Sequence, residues 1–163
     1  MFSFMSAGNL PLFLLLVNAT VTWFMMGLIW LIQLVHYPLM AYVGEAGFTA
    51  YEVRHAQWIT LIVGPVMLLE ALTAVLLLYY TPAFKNAPIL LSVGIVLLLV
   101  IWASTALLQV PCHEILSKGF NLEAINRLTS TNWVRTVGWS LRGLLLAYLL
   151  WQCLKSTNVS IHA

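Results

Sequence analysis

The sequence predicts an all-α fold: an integral membrane, antiparallel four-helix bundle forming one transmembrane domain over residues 1–163. Three observations predict it. The chain is 62% hydrophobic, with a mean hydropathy of +0.96. Charged residues make up 7%, seven Lys plus Arg and five Glu with no Asp, against about a quarter in soluble domains, so too little polar surface exists to face water. Four apolar runs are each long enough to cross about 30 Å of hydrocarbon, and together they use most of the chain. An even number of spans places both termini on one side.

The first span covers about residues 10–36. Pro11 is tolerated in its opening turn, and His36-Tyr37-Pro38 is expected to end it, because proline disfavours helical geometry in the residue before it. The run is too long for a signal-peptide core and lacks a basic leader, so it reads as a retained helix. The second span, about 58–80, is broken only by Glu70 and Gly64-Pro65 and stops at Thr81-Pro82. The third covers about 88–110, with Pro111 expected to kink its end, and the fourth about 133–154. The second and fourth helices are expected to begin before the membrane does, since 48–57 and 122–131 contain no Gly or Pro. Asn121 is the N-cap candidate for the latter, with Glu123 in a first turn where an acid suits the helix dipole. Gly44-Glu45-Ala46-Gly47 and Lys118-Gly119 mark the turns after the first and third spans. No internal repeat is evident.

The net charge of +2 is small and scattered, which argues against nucleic acid as a partner. Arg54, Lys118, Arg127 and Arg135 belong to the membrane face carrying the two longer connections, called side A here; Lys85 and Lys155 belong to the other. The positive-inside rule therefore puts side A in the cytoplasm and both termini outside.

At 100° per residue the polar residues fall into stripes. Asn18 and His36 are 18 residues apart and share an azimuth, with Thr22 and Gln33 close to it. Glu52 and Glu70 are likewise 18 apart, with His55 and Thr73 three residues after each. Asn132, Arg135, Trp139 and Arg142 follow the spacing of one helix face. The third span adds Ser104 or Thr105, then Gln109 and His113. Charged groups pointed at lipid each cost several kcal/mol, so the stripes must face one another. The ends of helices 1 and 3 and the starts of helices 2 and 4 all lie at side A, which brings His36, His55, His113, Glu52, Asn132 and Arg135 to one level.

Each piece has two readings. The histidines either sit at headgroup level bonded to water and carbonyls, or share a site as tentative metal ligands, as axial ligands of a haem, or as a cofactorless general base. Glu52-x-x-His55 is a pair used in carboxylate-bridged metal bundles, but it occurs once where a diiron site needs it twice. Glu70 is either a structural partner of Arg142 or part of a proton path. Trp23, Trp30, Trp58, Trp133 and Trp151 lie near span ends and read as an aromatic belt. Cys112-His113 lacks the second cysteine of a c-type haem attachment site, and Cys112 and Cys153 belong to opposite faces. His162 reads as a tail residue.

At Gln33-x-x-His36-Tyr37-Pro38, Pro65-x-Met67-x-x-Glu70, Gln109-x-Pro111-x-His113 and Asn132-Trp133-x-Arg135-Thr136, the chain resembles a widespread group of four-span bacterial membrane proteins. The likeness covers nearly the whole chain and implies a bacterial inner-membrane location without implying a function. More distantly, Asn132-x-x-Arg135 and Pro38 are similar to the anthrone oxygenase-like family, whose members are associated with oxidation of polycyclic aromatic phenols. That resemblance implies an oxidoreductase; it does not supply the histidines.

The function expected from these readings is that of a membrane-embedded oxidoreductase or oxygenase-like protein acting on a lipophilic small molecule. His36, His55, His113 and Glu52 would be catalytic, and Gln33, Gln109, Asn132, Arg135, Glu70 and Arg142 would contact substrate. A small transporter or proton conductor using Glu70 and Arg142 is the alternative, as is an accessory subunit of a membrane complex. Membrane lipid is the expected environment, and a homo-oligomer or a larger complex stays open.

Overall fold

The structure, a computed structural model, describes residues 9–82 and 86–161. Lys85, which enters the charge balance, and His162 lie outside the described residues. Four helical spans are present: α1 (Leu10–Met40), α2 (Glu45–Tyr79), α3 (Ala87–Leu116), and a fourth made of α4 (Leu122–Thr131) and α5 (Trp133–Ile161), which meet at Asn132. Each is long and apolar enough to cross a membrane, and among the described residues there is no strand. Helices satisfy their own backbone groups, which lipid cannot do for them.

Three boundaries move relative to the sequence reading. The helix of α2 begins at Glu45, so the first turn is confined to residues 41–44, with Gly44 at φ +83°, a conformation that suits a residue without Cβ. Pro38 and Pro111 do not end or break their helices. Each sits just after a five-residue π-helical turn, Ile32–His36 in α1 and Thr105–Gln109 in α3. The Tyr37 N–H reaches back to the Ile32 carbonyl and the Val110 N–H to the Thr105 carbonyl, one residue further than in an α-helix. A proline ring ordinarily meets the carbonyl four residues before it, here that of Leu34 or Leu107. Both carbonyls lie inside the widened turns, which gives the rings room. The two helical hairpins therefore carry the same device, a likeness that residue periodicity does not register.

The N-cap at Asn121 is as expected, its Oδ1 accepting from the Ala124 N–H at 2.8 Å. α1 packs against α2 and the fourth span, and α3 against the fourth span; the α2–α3 seam is the sparsest. The apolar interior has two parts. One, toward side A, holds Met25, Ile29, Phe48, Ile101 and Leu128; the other holds Leu15, Leu77, Leu91 and Leu149. Cys112 belongs to the first and Cys153 to the second. The five tryptophans read as a belt are all exposed, whereas Trp139 is fully buried.

Without a hydrophobic drive between helices in lipid, small residues at contacts let backbones approach. Gly138 is such a residue: a Cβ there would lie 2.7 Å from Cγ1 of Ile101. Gly138→Ala is expected to cost about 1–3 kcal/mol, the usual penalty of overpacking, measured by unfolding in mixed detergent micelles.

Candidate functional site

Two polar centres lie in the bundle, and they differ in how completely their groups are partnered. The deeper one joins all four spans. Glu70 Oε1 accepts from Arg142 Nε at 3.0 Å and from the Thr22 hydroxyl at 2.6 Å, while Oε2 accepts from Trp139 Nε1 at 3.1 Å. Arg142 also donates to the Gly94 carbonyl on α3 and to Asn18 Oδ1, the latter at 3.3 Å. Asn18 Nδ2 in turn donates to the Thr73 hydroxyl and the Glu70 carbonyl. Every side-chain group in this centre has a partner, and the adjoining void of about 10 Å³ has room for about one water at most. The expected Glu70–Arg142 pair is thus present as a closed network, an arrangement that fixes helix positions.

The second centre lies toward side A. Glu52 on α2, fully buried, accepts from His113 Nδ1 on α3 at 2.6 Å. With the proton on Nδ1, Nε2 of the neutral ring is an acceptor, and the Tyr37 hydroxyl donates to it at 3.3 Å. The same hydroxyl lies within side-chain hydrogen-bonding reach of Arg135, whose guanidinium also stands 5.4 Å from the Trp139 ring centroid. Trp139 thereby touches both centres. His55 lies beside His113, ring centroids 5.5 Å apart, and His36 stacks on His55 at 4.3 Å. The Tyr51 hydroxyl stands 3.4 Å from His36 Nε2.

Among the described residues, three buried polar atoms lack a partner: Glu52 Oε2, Asn132 Oδ1 and Arg135 Nε. Arg135 matters most. It is 6% exposed, and no ion pair is formed by it, although leaving a buried cation without an anion is costly. It lines a cavity of about 220 Å³ together with Tyr37, His113, Ile59, Val63 and Met67. Its lining combines the charged and hydrogen-bonding Arg135, Tyr37, His113 and Gln109 with the apolar Ile59, Val63 and Met67.

The residues expected to gather do so in part. His36, His55, His113 and Glu52 form one group, joined to Arg135 through Tyr37. Gln33, Gln109 and Asn132 brace the junction of α4 and α5: Asn132 Nδ2 donates to Gln33 Oε1 at 2.9 Å, Gln33 Nε2 to the Thr129 carbonyl, and Gln109 Nε2 to the Thr131 hydroxyl. Gln109 also borders the chamber. Glu70 and Arg142 belong to the other centre.

The residue missed as a site candidate is Tyr37. Counting 18 residues from Asn18 selects His36 for the inward position, but the π-helical turn inserts an extra residue into the register. Tyr37 is consequently buried at 3% exposure, and His36 is displaced to the half-buried flank. The available signal was Pro38, which needs such a turn if the helix is to continue through it.

A shared metal does not fit these side chains. Among the described residues, no group of three or more His, Cys or Glu is arranged to hold an ion. Ring orientation explains this: His36 and His55 are stacked with 29° between planes, so their nitrogens do not converge. Both nitrogens of His113 are already engaged. A chamber of about 220 Å³ is also below the roughly 300–1,000 Å³ of sites for drug-sized ligands, too small for haem. Compared with family models, curated proteins and solved structures, the chain matches none.

Proposed function

We propose that the chain is a membrane-embedded oxidoreductase or oxygenase-like protein that takes a lipophilic phenol or enol into the side-A chamber and deprotonates it. The observation that carries this reading is Arg135: a buried cation without a counterion, facing an apolar cavity beside a carboxylate–imidazole pair. A substrate oxygen that becomes negative supplies the missing anion, and such stabilisation is strong where water is excluded.

Glu52 fixes the tautomer of His113 by accepting from Nδ1, leaving Nε2 as the base. Tyr37 passes its hydroxyl proton to Nε2 and takes the proton of the substrate hydroxyl, while Arg135 holds the resulting oxyanion. An enolate or phenolate gives up electrons far more readily than its neutral parent, so deprotonation prepares the substrate for oxidation by dioxygen, which dissolves well in lipid. By the charge balance, side A would face the cytoplasm with both termini outside, and the resemblance to four-span bacterial membrane proteins implies the inner membrane.

Dioxygen uptake tests this. Wild-type protein in nanodiscs is expected to consume dioxygen when a lipophilic phenol is added, and His113→Ala and Glu52→Gln should lower the rate by about 100-fold or more, the upper span of general-base contributions. Equal uptake by wild type and His113→Ala, with both proteins folded, would refute the proposal.

A further inference from the structure

We infer that the flank formed by α1 and α2 toward side A holds a binding site for the anionic phosphate of a membrane lipid, built by Arg54, His55, His36 and Trp58. The site is independent of what the chamber binds.

A cavity of about 410 Å³ lies on this flank, lined by His36 of α1 and by Ala50, Tyr51, Arg54, His55 and Trp58 of α2. Its lining is rich in donors and contains no carboxylate. Arg54 offers five N–H groups and no acceptor, Trp58 one N–H, and each neutral imidazole one. Among the described residues nothing takes these donors up: Arg54 forms no ion pair, and Arg54, Trp58 and both ring nitrogens of His55 have no hydrogen-bond partner. Glu52, on the same helix, is fully buried and accepts from His113. The rings of His36, Tyr51 and His55 pack near-parallel, with 11–29° between planes, which fixes the imidazoles before any ligand arrives. The ligand suited to such a lining is an acceptor-rich anion, and a guanidinium beside further N–H donors is an arrangement that recognises phosphate.

The outer surface of α2 decides where that phosphate comes from. Trp58 lies four residues after Arg54, and Leu61 and Ile62 three and four after Trp58, so the four share one helix face, and all are exposed. A charge in hydrocarbon is costly, tryptophan suits the membrane interface, and exposed Leu and Ile suit acyl chains. Along this face the order is therefore cation, amphipathic ring and aliphatic side chains, matching phosphate, ester and acyl chain in a lipid. A free phosphate ion gains nothing from the second and third. His55 also borders the chamber, so one ring touches both sites.

Native mass spectrometry of the full chain in non-ionic detergent, titrated with phosphatidylglycerol or phosphatidylcholine, counts the lipid retained. In phosphatidylcholine the choline cation cancels the phosphate charge. Wild type should bind phosphatidylglycerol more tightly than phosphatidylcholine, and Arg54→Gln should lose about ten-fold or more of its affinity for the former, the scale of hydrogen bonds to charged groups. His55→Phe, which keeps the ring stack and removes the N–H, should show a smaller loss. Arg127→Gln, at an exposed side-A cation that does not line the cavity, should bind as wild type does. Phosphatidylcholine should bind all four proteins alike, which also shows that the variants are folded. No preference for phosphatidylglycerol in wild type, unchanged affinity in Arg54→Gln and His55→Phe, or equal losses in Arg54→Gln and Arg127→Gln overturns the site. Displacement of the lipid from wild type by millimolar inorganic phosphate overturns the lipid as its occupant and makes the cavity a site for the free ion.

Discussion

Arg142→Met is expected to destabilise the bundle by about 3–5 kcal/mol, the cost of removing one member of a buried ion pair. The loss has a specific origin. Without Arg142, Glu70 keeps its bonds to Thr22 and Trp139 but has no cation, and the Gly94 carbonyl and Asn18 Oδ1 lose a donor. Because these groups come from four different spans, the damage is shared by the whole bundle. Glu70→Gln should be milder, since an amide oxygen still accepts from Arg142 and Thr22, although it leaves Arg142 uncompensated. Unfolding of the purified protein by a denaturing detergent, followed by circular dichroism, measures both. A change of less than about 1 kcal/mol in Arg142→Met would show that the network does not hold the fold as this closed geometry demands.

Arg135→Met is expected to do the reverse to stability and far more to ligand binding. Arg135 has no carboxylate partner, so replacing it removes a desolvated charge without stranding another. The Tyr37 hydroxyl keeps His113 as its partner, and a Met side chain fills comparable volume against Trp139. The variant should be as stable as wild type or more stable by about 1–3 kcal/mol, in keeping with exchanges of buried charge for apolar groups. Its affinity for a phenolate should fall by about 100-fold or more, since a desolvated charge contact is worth roughly 2–5 kcal/mol. The pair of variants thus separates two buried arginines seven residues apart on one helix face: one holds the fold, the other is held by it.

Much of this arrangement was legible in the sequence, because burial of charge in lipid admits few solutions. Glu52 and Glu70 share an azimuth as their spacing requires, since α2 is regular between them despite Pro65. The stripe from Asn132 through Arg142 is buried throughout for the same reason. The reckoning fails where the helix is not α-helical. Pro38 read as a stop and Pro111 as a kink, yet both follow π-helical turns within continuing helices, and in α1 the change of register exchanged Tyr37 for His36 at the centre. Ring orientation is likewise beyond residue spacing: three histidines at one level suggest shared ligation, and only their stacking and the engagement of His113 by Glu52 and Tyr37 show that they face past one another. Partnering is the third thing spacing does not carry. Arg135 and Arg142 look alike in the sequence, and they differ only in whether a carboxylate reaches them.

The measurement that bears most directly on the chamber is a visible-absorbance pH titration of 4-nitrophenol bound to wild type and to Arg135→Met. The wild type should hold the probe as its yellow phenolate at pH values where the free compound is mostly neutral, because the guanidinium favours the anion. In Arg135→Met the bound probe should titrate no more easily than the free one. The same titration curve in both proteins, with the probe bound in both, would contradict the assignment of Arg135 as the oxyanion partner and with it the account of the chamber.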